Sequence, residues 1–284
     1  MDSNEIVGIV GTGAMGSGIA QVAAISGRKV VAIDVASASL ERAIVAVEQS
    51  LSRLVKKSSI SRDEATAAMA RISFSTEYEA LADAAILIEA ATETLDTKRM
   101  ILRKLSDIGG EDALIATNTS SLSVTTLANE VRHPENFVGI HFFNPVPVMP
   151  LVEIVRGLAT SDATSNRASA FARNVGKTPV VVKNAPGFVV NRILVPMMNE
   201  AFFVLGEGVA SAEDIDAAMM LGANHPIGPL ALADMVGLDV LLLVVGVLQE
   251  DTGDSKYRAA PLLRELVAAG RLGRKSGQGV FKYD

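Results

Sequence analysis

In the first two thirds of the chain, short apolar runs rich in β-branched residues alternate with longer stretches in which apolar residues recur at helical spacing. Runs of the first kind are typical of buried strands, and stretches of the second kind are typical of amphipathic helices. The pattern predicts strands at 6–10, 30–33, 71–74, 85–89, 113–117, 137–142, 151–155 and 179–182. Helices are expected at 39–55, 95–108 and 161–175, the last closed by Gly176. This alternation indicates an α/β fold with a Rossmann-like, doubly wound and mainly parallel sheet.

The alternation ends near residues 183–187, whose Asn, Pro and Gly are typical of a turn between domains. Beyond this point the spacing predicts helices at 188–205, 212–221, 230–235, 238–249 and 261–269, with no strand before the last few residues. We therefore expect a Rossmann-like domain over 1–183 and an all-helical domain over 184–284. Helical domains with Met- and Leu-rich faces often close one side of a ligand cleft, and they also bury apolar surface against a second subunit.

The first predicted strand is followed at once by a glycine-rich turn, Gly11-Thr12-Gly13-Ala14-Met15-Gly16, and then by a helix. Gly11 permits the tight turn, Gly13 lets a diphosphate approach the backbone, and Gly16 lets the helix pack closely on the strand. The positive end of the helix, with its unpaired N–H groups, would hold the diphosphate. The turn, including Ala14 and Met15, therefore predicts a dinucleotide-binding site.

The second predicted strand ends in Asp34. A carboxylate at this position accepts hydrogen bonds from the adenosine ribose hydroxyls and repels a 2′-phosphate. Because strand, glycine turn, helix, second strand and terminal acid occur in register, we expect the cofactor to be NAD and not NADP.

Composition and charge are those of an ordinary globular protein. The 284 residues are 49% hydrophobic and 20% charged, and the net charge of -6 leaves no basic stripe for a nucleic-acid backbone. Cysteine is absent, which excludes disulfides, thiolate metal sites and a cysteine nucleophile. We expect neither a metal site nor a nucleic-acid partner.

The longest apolar stretch, 235–248, decides whether a membrane span is expected. It contains Gly237, Asp239 and Gly246 and is too short to cross a bilayer, so a buried helix is predicted instead. No signal peptide is expected, because the glycine turn begins almost at the first residue. These observations predict a cytoplasmic protein without membrane attachment, or a mature form whose targeting segment has been removed.

Polar side chains lie at the ends of several predicted strands, the edge at which such sheets bind ligands. Glu93 follows the strand at 85–89, and Asn118-Thr119-Ser120-Ser121 follows the strand at 113–117. His141 lies near the end of 137–142, and Glu153 lies in the next strand after a proline-rich connection. A connection of that length between adjacent strands would allow the carboxylate to meet the imidazole.

This set of side chains suits dehydrogenation without a metal. The reaction needs a base for the hydroxyl proton while a hydride leaves for the nicotinamide, and histidine performs that task near neutral pH. A carboxylate on the far nitrogen would fix the tautomer and stabilise the imidazolium. Other interpretations stay open at this point: a structural His141, a surface position for Glu153, and helix-capping roles for Ser120 and Ser121. The other two histidines, at 133 and 225, are interpreted as loop residues.

Several separated motifs resemble those of one known family. Phe137-Val138-Gly139-Ile140-His141-Phe142-Phe143-Asn144-Pro145, with Glu153 in the next strand, is similar to the signature of the 3-hydroxyacyl-CoA dehydrogenases. The resemblance covers essentially the whole chain, and bacterial members that act on 3-hydroxybutyryl-CoA are particularly similar. It includes the glycine turn and the segments 118–121, 184–192, 224–226 and 273–283.

The resemblance implies an NAD-dependent oxidation of the L-3-hydroxyl of a short-chain acyl-CoA, and the reverse reduction. It implies that His141 is the general base, that Glu153 is its partner, and that Ser120 and Asn191 hydrogen-bond the 3-oxygen or the thioester carbonyl. It also implies NAD contacts from Ser120 and from Glu93, Lys98, Asn118, Asn144 and Lys275. Asn191 has a physical rationale as well, since it falls in the first turn of a predicted helix before a kink at Pro196, where developing oxyanion charge is favoured.

The coenzyme A contacts implied by the resemblance lie at the end of one helix. Ser50, Arg53, Lys56 and Lys57 follow one another along it, and Ser50 and Lys57 match the family's CoA-contacting residues best. A solvated basic helix end is the alternative interpretation. The family also implies a homodimer formed through the helical domain.

Three further functions share this scaffold. An NAD-dependent dehydrogenase of free sugar acids or 3-hydroxy acids is disfavoured by the intact 142–147 segment. The 3-hydroxyisobutyrate and phosphogluconate group uses a lysine where this chain has the His–Glu pair. A catalytically silent NAD-binding structural protein would be expected to have lost His141, Glu153, Ser120 or Asn191, and all four are present.

Overall fold

The computed structural model describes residues 5–283. Its contacts divide the chain into two compact units, Met1–Ala185 and Pro186–Asp284. Within its described residues, the first unit contains one eight-stranded sheet, with strands β1 (Ile6–Val10), β2 (Val30–Ile33), β3 (Ile72–Ser75), β4 (Ala84–Glu89), β5 (Leu114–Thr117), β6 (Phe137–Phe142), β7 (Leu151–Arg156) and β8 (Thr178–Lys183).

Helices connect most of these strands. They are α1 (Ala14–Ile25), α2 (Ser37–Lys56), α3 (Arg62–Ala70), α4 (Leu95–Ile108), α5 (Val124–Leu127) and α6 (Asp162–Asn174). Short 3₁₀ turns lie at Tyr78–Leu81, Ala128–Glu130 and Pro134–Asn136. The strands and long helices predicted from periodicity are confirmed within one or two residues at each end.

The strand order is β3-β2-β1-β4-β5-β6-β7-β8, and the first six strands in this order are mutually parallel. The predicted doubly wound, mainly parallel sheet is therefore confirmed. β7 runs antiparallel to β6, and β8 is parallel to β7. The reversal follows from the short connection at 143–150, because a parallel crossover needs a dozen or more residues.

Helices cover the central strands of the sheet, which are buried, whereas Val180 and Val181 of the edge strand β8 are exposed in the single chain. In β1 and β4, Val7, Ile9, Ile86 and Ile88 have no exposed surface, and strands of this kind are as apolar as parallel sheets require. α1 packs against them through Ile19 and neighbouring small residues. The carboxyl ends of β1, β4, β5 and β6 consequently meet at one edge of the sheet, where the candidate site lies.

Two helices of this unit, α5 and α3, were missed by the periodicity. The longer of the two is α3. Its start is marked by a capping box, in which Ser61 Oγ accepts from the Glu64 N–H at 3.1 Å and Glu64 Oε2 accepts from the Ser61 N–H at 2.7 Å. A serine followed three residues later by a glutamate is a sequence signal for a helix start. The helix was not predicted because it is rich in alanine and only weakly amphipathic.

The second unit is helical, with α7 (Val190–Gly206), α8 (Ala212–Gly222), α9 (Pro229–Val236), α10 (Leu238–Thr252) and α11 (Pro261–Ala268). Short 3₁₀ turns lie at Ser255–Tyr257 and Arg274–Ser276. Its core includes Phe202, Leu230, Leu238, Leu248 and Leu263. Each predicted helix is confirmed, and near the end of the chain the described residues form two isolated antiparallel bridges instead of a strand.

The expectation of one buried helix over 235–248 is wrong. Gly237, at φ +105°, ends α9 and begins α10, and the two helices are bent by 98°. Val240 and Leu243 of α10 are exposed in the single chain. Among the described residues no single helix is long and apolar enough to span a membrane, although α9 and α10 taken together would pass by length and composition.

Candidate active site

The glycine turn follows β1 and has the close approaches that a dinucleotide site needs. Gly11 has φ +95°, and a Cβ on Gly16 would lie 1.8 Å from the carbonyl oxygen of Gly11. A Cβ on Gly13 would meet nothing within 4 Å, so the space above this residue is open. Gly13 is the N-cap of α1, whose first turn has no acidic side chain. No acidic side chain of α1 itself therefore competes with a diphosphate at this helix end.

Asp34 lies directly after β2 and is held by the glycine turn. Its Oδ2 accepts from the N–H and the hydroxyl of Thr12, at 3.0 and 3.1 Å. A cleft of about 830 Å³ runs between the glycine turn and Asp34, and Ala90 and Met100 line its other side. The volume, the open helix end and the terminal carboxylate fit NAD.

His141 and Glu153 are directly opposite each other in the antiparallel pair of β6 and β7. His141 Nδ1 lies 2.8 Å from Glu153 Oε2, and both side chains are almost completely buried. The ring of Phe143 packs against the imidazole, with the ring centres 4.5 Å apart. Glu153 is therefore not a surface strand residue, and the connection at 143–150 brings the two side chains together.

Residues 119–121, which we call the serine turn, are organised by Glu93. Glu93 Oε1 accepts from the N–H groups of Ser120 and Ser121, at 2.7 and 3.0 Å, and from the Thr119 hydroxyl at 2.5 Å. The hydroxyls of Ser120 and Ser121 lie within 3.2 Å of the same oxygen. Burial by itself would raise the pKa of Glu93, but the Lys98 charge and these hydrogen bonds outweigh it and hold the pKa below its ordinary value.

A second carboxylate, Glu89, lies at the end of β4 beneath the serine turn. It is fully buried and accepts from Lys98 Nζ at 2.9 Å with both oxygens, from the Thr117 hydroxyl at 2.6 Å and from the Ala91 N–H at 2.7 Å. Lys98 Nζ also lies 3.2 Å from Glu93 Oε2. Sequence reasoning missed Glu89, although a charged residue closing an otherwise apolar strand was the available signal.

Comparison with known families follows the same division of the chain. The model for the 3-hydroxyacyl-CoA dehydrogenase NAD binding domain matches residues 6–185, and the model for the C-terminal domain of that family matches residues 187–283. The chain belongs to the 3-hydroxyacyl-CoA dehydrogenase family. Membership of this family makes the protein an NAD-dependent oxidoreductase and confirms the resemblance drawn from the motifs.

Individual relatives match over nearly the whole chain. A 3-hydroxybutyryl-CoA dehydrogenase of Bradyrhizobium diazoefficiens is 47% identical over 277 residues, covering 98% of this chain and 94% of the relative. The crystal structure of (S)-3-hydroxybutyryl-CoA dehydrogenase from Ralstonia eutropha superposes with a TM-score of 0.96 at 54% identity, covering 99% of both chains. A diketoreductase structure has a TM-score of 0.87 at 30% identity and full coverage of both chains.

Two asparagines that the family resemblance assigns to NAD lie close to His141 in sequence or space. Asn118 Oδ1 accepts from the Phe142 N–H at 2.9 Å, and this bond ties the end of β5 to the end of β6. Asn144 is exposed in the connection that follows β6. Both positions are compatible with a cofactor contact at the carboxyl edge of the sheet.

The segment 143–150, which contains Asn144, is held in place by contacts with Lys177 and Gly18. Lys177 Nζ donates to the carbonyl oxygens of Val146 and Met149 at 2.6 and 2.9 Å, and burial lowers its pKa below the ordinary value. Gly18 of α1 lies so close that a Cβ there would be 2.8 Å from Val146 Cβ. Sequence analysis did not single out Lys177, because nothing local distinguishes a lysine that will bind distant carbonyl groups.

Lys98, which the family resemblance assigns to NAD, is enclosed in the single chain. Its side chain is 1% exposed, and its ammonium group is held by Glu89 and Glu93. It lies beneath the edge of the sheet and does not line the dinucleotide cleft.

The remaining sites lie on α2 and in the second unit. Ser50 is on α2, and Lys57 is the residue that caps its C-terminus. Asn191 is the second residue of α7, so its predicted position in a first helical turn before Pro196 is confirmed. Lys275 forms an ion pair with Asp239, Nζ to Oδ2 at 2.7 Å, and this hydrogen bond lowers the pKa of Asp239.

Proposed function

We propose that this protein oxidises short-chain L-3-hydroxyacyl-CoA, 3-hydroxybutyryl-CoA in particular, to the 3-oxoacyl-CoA, and catalyses the reverse reduction. The observation that carries the proposal is the buried pair of His141 and Glu153 at the same sheet edge as the glycine turn. The Bradyrhizobium and Ralstonia relatives are 3-hydroxybutyryl-CoA dehydrogenases by name, which supports the four-carbon substrate.

His141 acts as the general base in this proposal. Because an ionised carboxylate only accepts hydrogen bonds, Nδ1–H donates to Glu153 and Nε2 takes the proton of the substrate hydroxyl. The carboxylate stabilises the imidazolium that forms, and in the reverse direction the imidazolium returns the proton to the 3-oxygen. When bound, NAD accepts the hydride that leaves the carbinol carbon.

Ser120 and Asn191 bind the substrate's polar oxygens. The backbone N–H groups of Ser120 and Ser121 donate to Glu93, so the Ser120 hydroxyl is the group that this turn offers to the 3-oxygen. Asn191 lies at the positive end of α7, where its amide N–H favours charge developing on an oxygen. For the coenzyme A moiety we propose contacts with Ser50 and Lys57, since Lys57 is exposed and cationic.

For NAD we propose contacts with the glycine turn (Gly11, Gly13, Ala14, Met15 and Gly16), with Asp34, and with Glu93, Lys98, Asn118, Ser120, Asn144 and Lys275. A homodimer through the second unit is supported by four exposed apolar side chains on α9 and α10, Met235, Val236, Val240 and Leu243. We further propose that the reaction belongs to fatty acid and butanoate metabolism and takes place in the cytoplasm.

The test follows NADH absorbance on mixing the protein with NADH and acetoacetyl-CoA. We expect NADH to be consumed, and we expect His141→Gln to abolish nearly all turnover while NADH still binds. Consumption with free acetoacetate but not with the thioester would assign the protein to dehydrogenases of free acids. Tight NADH binding without turnover of either compound would refute the enzyme function, and unchanged turnover by His141→Gln would refute the base assignment.

A further inference from the structure

Val146 fixes the middle of the connection at 143–150. Its side chain is 1% exposed and packs against α1, where a Cβ on Gly18 would lie 2.8 Å from Val146 Cβ. Its carbonyl oxygen accepts from Lys177 Nζ at 2.6 Å. The connection is therefore held both by the helix that begins at the glycine turn and by the lysine that directly precedes β8.

Lys177 is buried without a counter-ion. Its ammonium group donates to the carbonyl oxygens of Val146 and Met149, and it forms no ion pair with any described residue. Burial disfavours the ammonium charge, and no neighbouring carboxylate offsets this effect, so the pKa of Lys177 lies below its ordinary value. A buried charge that lacks an opposite charge is costly compared with an apolar side chain of similar size. Stability alone therefore does not account for a lysine at this position.

The two carbonyl groups that bind Lys177 belong to one compact turn, residues 145–149. The carbonyl oxygen of Pro145 accepts from the N–H groups of Val148 and Met149, at 2.9 and 3.0 Å, and these bonds close the turn. A turn closed by its own hydrogen bonds moves as one body. By binding two of its carbonyl groups, Lys177 fixes the whole turn, including Pro145 at its start.

Asn144 is the residue whose position depends most on this turn. Its side chain is exposed, and it forms no hydrogen bond with any other described residue. Phe143, by contrast, directly follows β6 and packs on the ring of His141, so the strand and this contact hold it. Asn144 is linked to the fold through Pro145, and the turn that contains Pro145 is bound by Lys177.

We infer that Lys177 is a positioning residue for Asn144, and that it acts through the turn at 145–149 to hold the Asn144 amide where the cofactor binds. The inference rests on the proposed function, because it takes Asn144 as a contact of NAD. Lys177 itself contacts neither cofactor nor substrate, since its ammonium group is bound to two carbonyl oxygens inside the fold.

A double-mutant cycle tests the inference, with Lys177→Met, Asn144→Ala and the combined variant compared with the parent. Methionine keeps an unbranched apolar side chain and removes the charge and the donors. For each protein the NADH Kd is measured by fluorescence titration, and the KM for acetoacetyl-CoA is measured from NADH consumption. Lys183→Met, the same change at an exposed position of β8, is the matched control.

We expect Lys177→Met to raise the NADH Kd about fivefold, the equivalent of one lost hydrogen bond, and to leave the KM for acetoacetyl-CoA within about twofold of the parent. In the Asn144→Ala background the same change should raise the NADH Kd by less than about twofold, because the amide that Lys177 positions is absent. Lys177→Arg, which keeps the charge and the donors, should restore most of the NADH affinity. Lys183→Met should bind NADH as the parent does.

An NADH Kd that rises equally in both backgrounds would overturn the inference, and so would a KM for acetoacetyl-CoA that rises as much as the NADH Kd, because either result indicates a general loss of structure. Parent-like NADH binding by Asn144→Ala would overturn it as well. None of these results would affect the proposed reaction, since the parent would still turn over acetoacetyl-CoA.

A parent protein without turnover would refute the proposed reaction, whereas the cycle in NADH Kd needs no turnover and still decides the inference. Should Lys177→Met fail to fold, Lys177→Gln, which is neutral but remains polar, is measured in the same cycle with the same expected coupling to Asn144.

Discussion

Replacing Glu153 by glutamine removes the negative charge beside His141 but keeps the shape of the side chain and one acceptor oxygen. The two side chains are buried with Nδ1 and Oε2 2.8 Å apart. For charge centres about 4 Å apart at an effective dielectric constant of about 20, the attraction is about 4 kcal/mol. A neutral amide hydrogen bond would retain about 1 kcal/mol of this. Because the imidazolium is only partly formed in the transition state, the loss is about 1–3 kcal/mol, or roughly a 5- to 160-fold fall in kcat.

The assay follows NADH consumption with saturating acetoacetyl-CoA, with Glu111→Gln as the surface control. Glu153 does not line the dinucleotide cleft, so the NADH Kd should stay within about twofold of the parent value. Circular dichroism and a melting curve establish that the variant is folded. A folded Glu153→Gln protein whose kcat lies within about twofold of the parent would refute the reasoning, because the charge would then contribute nothing to proton transfer.

Three further outcomes are expected. Asp34→Ala should narrow the preference for NAD over NADP, measured as the ratio of the two kcat/KM values, and an unchanged ratio would show that Asp34 does not contact the ribose. Gly16→Ala should lower the Tm and weaken NADH binding roughly tenfold, because its Cβ would lie 1.8 Å from the Gly11 oxygen and overpacking costs about 1–3 kcal/mol; parent-like titration would contradict this. Leu243→Glu should halve the mass found by sedimentation velocity, whereas a monomeric parent would contradict the proposed dimer.

Local pattern was sufficient for most of the fold. The β-branched runs and the 3.6-residue spacing predicted the sheet strands and the long helices, because a buried strand or an amphipathic helix must carry its own apolar surface. α3 was not predicted because it is short and weakly amphipathic, and its capping box is the one sequence signal for it. The separate helices α9 and α10 were predicted, but the apolar run across Gly237 suggested one buried element, since hydropathy does not register a backbone bend.

In the candidate site, too, some features were predicted from local sequence and others were not. The glycine turn and Asp34 were predicted because their roles depend on the adjoining strand and helix alone. Glu89, by contrast, lies at the end of β4 and its partners come from β5 and α4, so its environment arises only when these elements pack. The family resemblance implied an NAD contact for Lys98 but gave no information on how buried this side chain is. In the structure its ammonium group lies between two carboxylates.

Residue types at short and regular spacing were enough to predict the dinucleotide-binding turn, the strands and helices around it, and the family. Three features depend on how distant elements pack: His141 meets Glu153 across an antiparallel pair, Glu93 holds the serine turn, and Lys98 is buried. The physical reason is that hydrogen bonds and burial depend on distances between atoms far apart in the chain. Those distances are set by strand register and helix packing, which no short segment encodes alone.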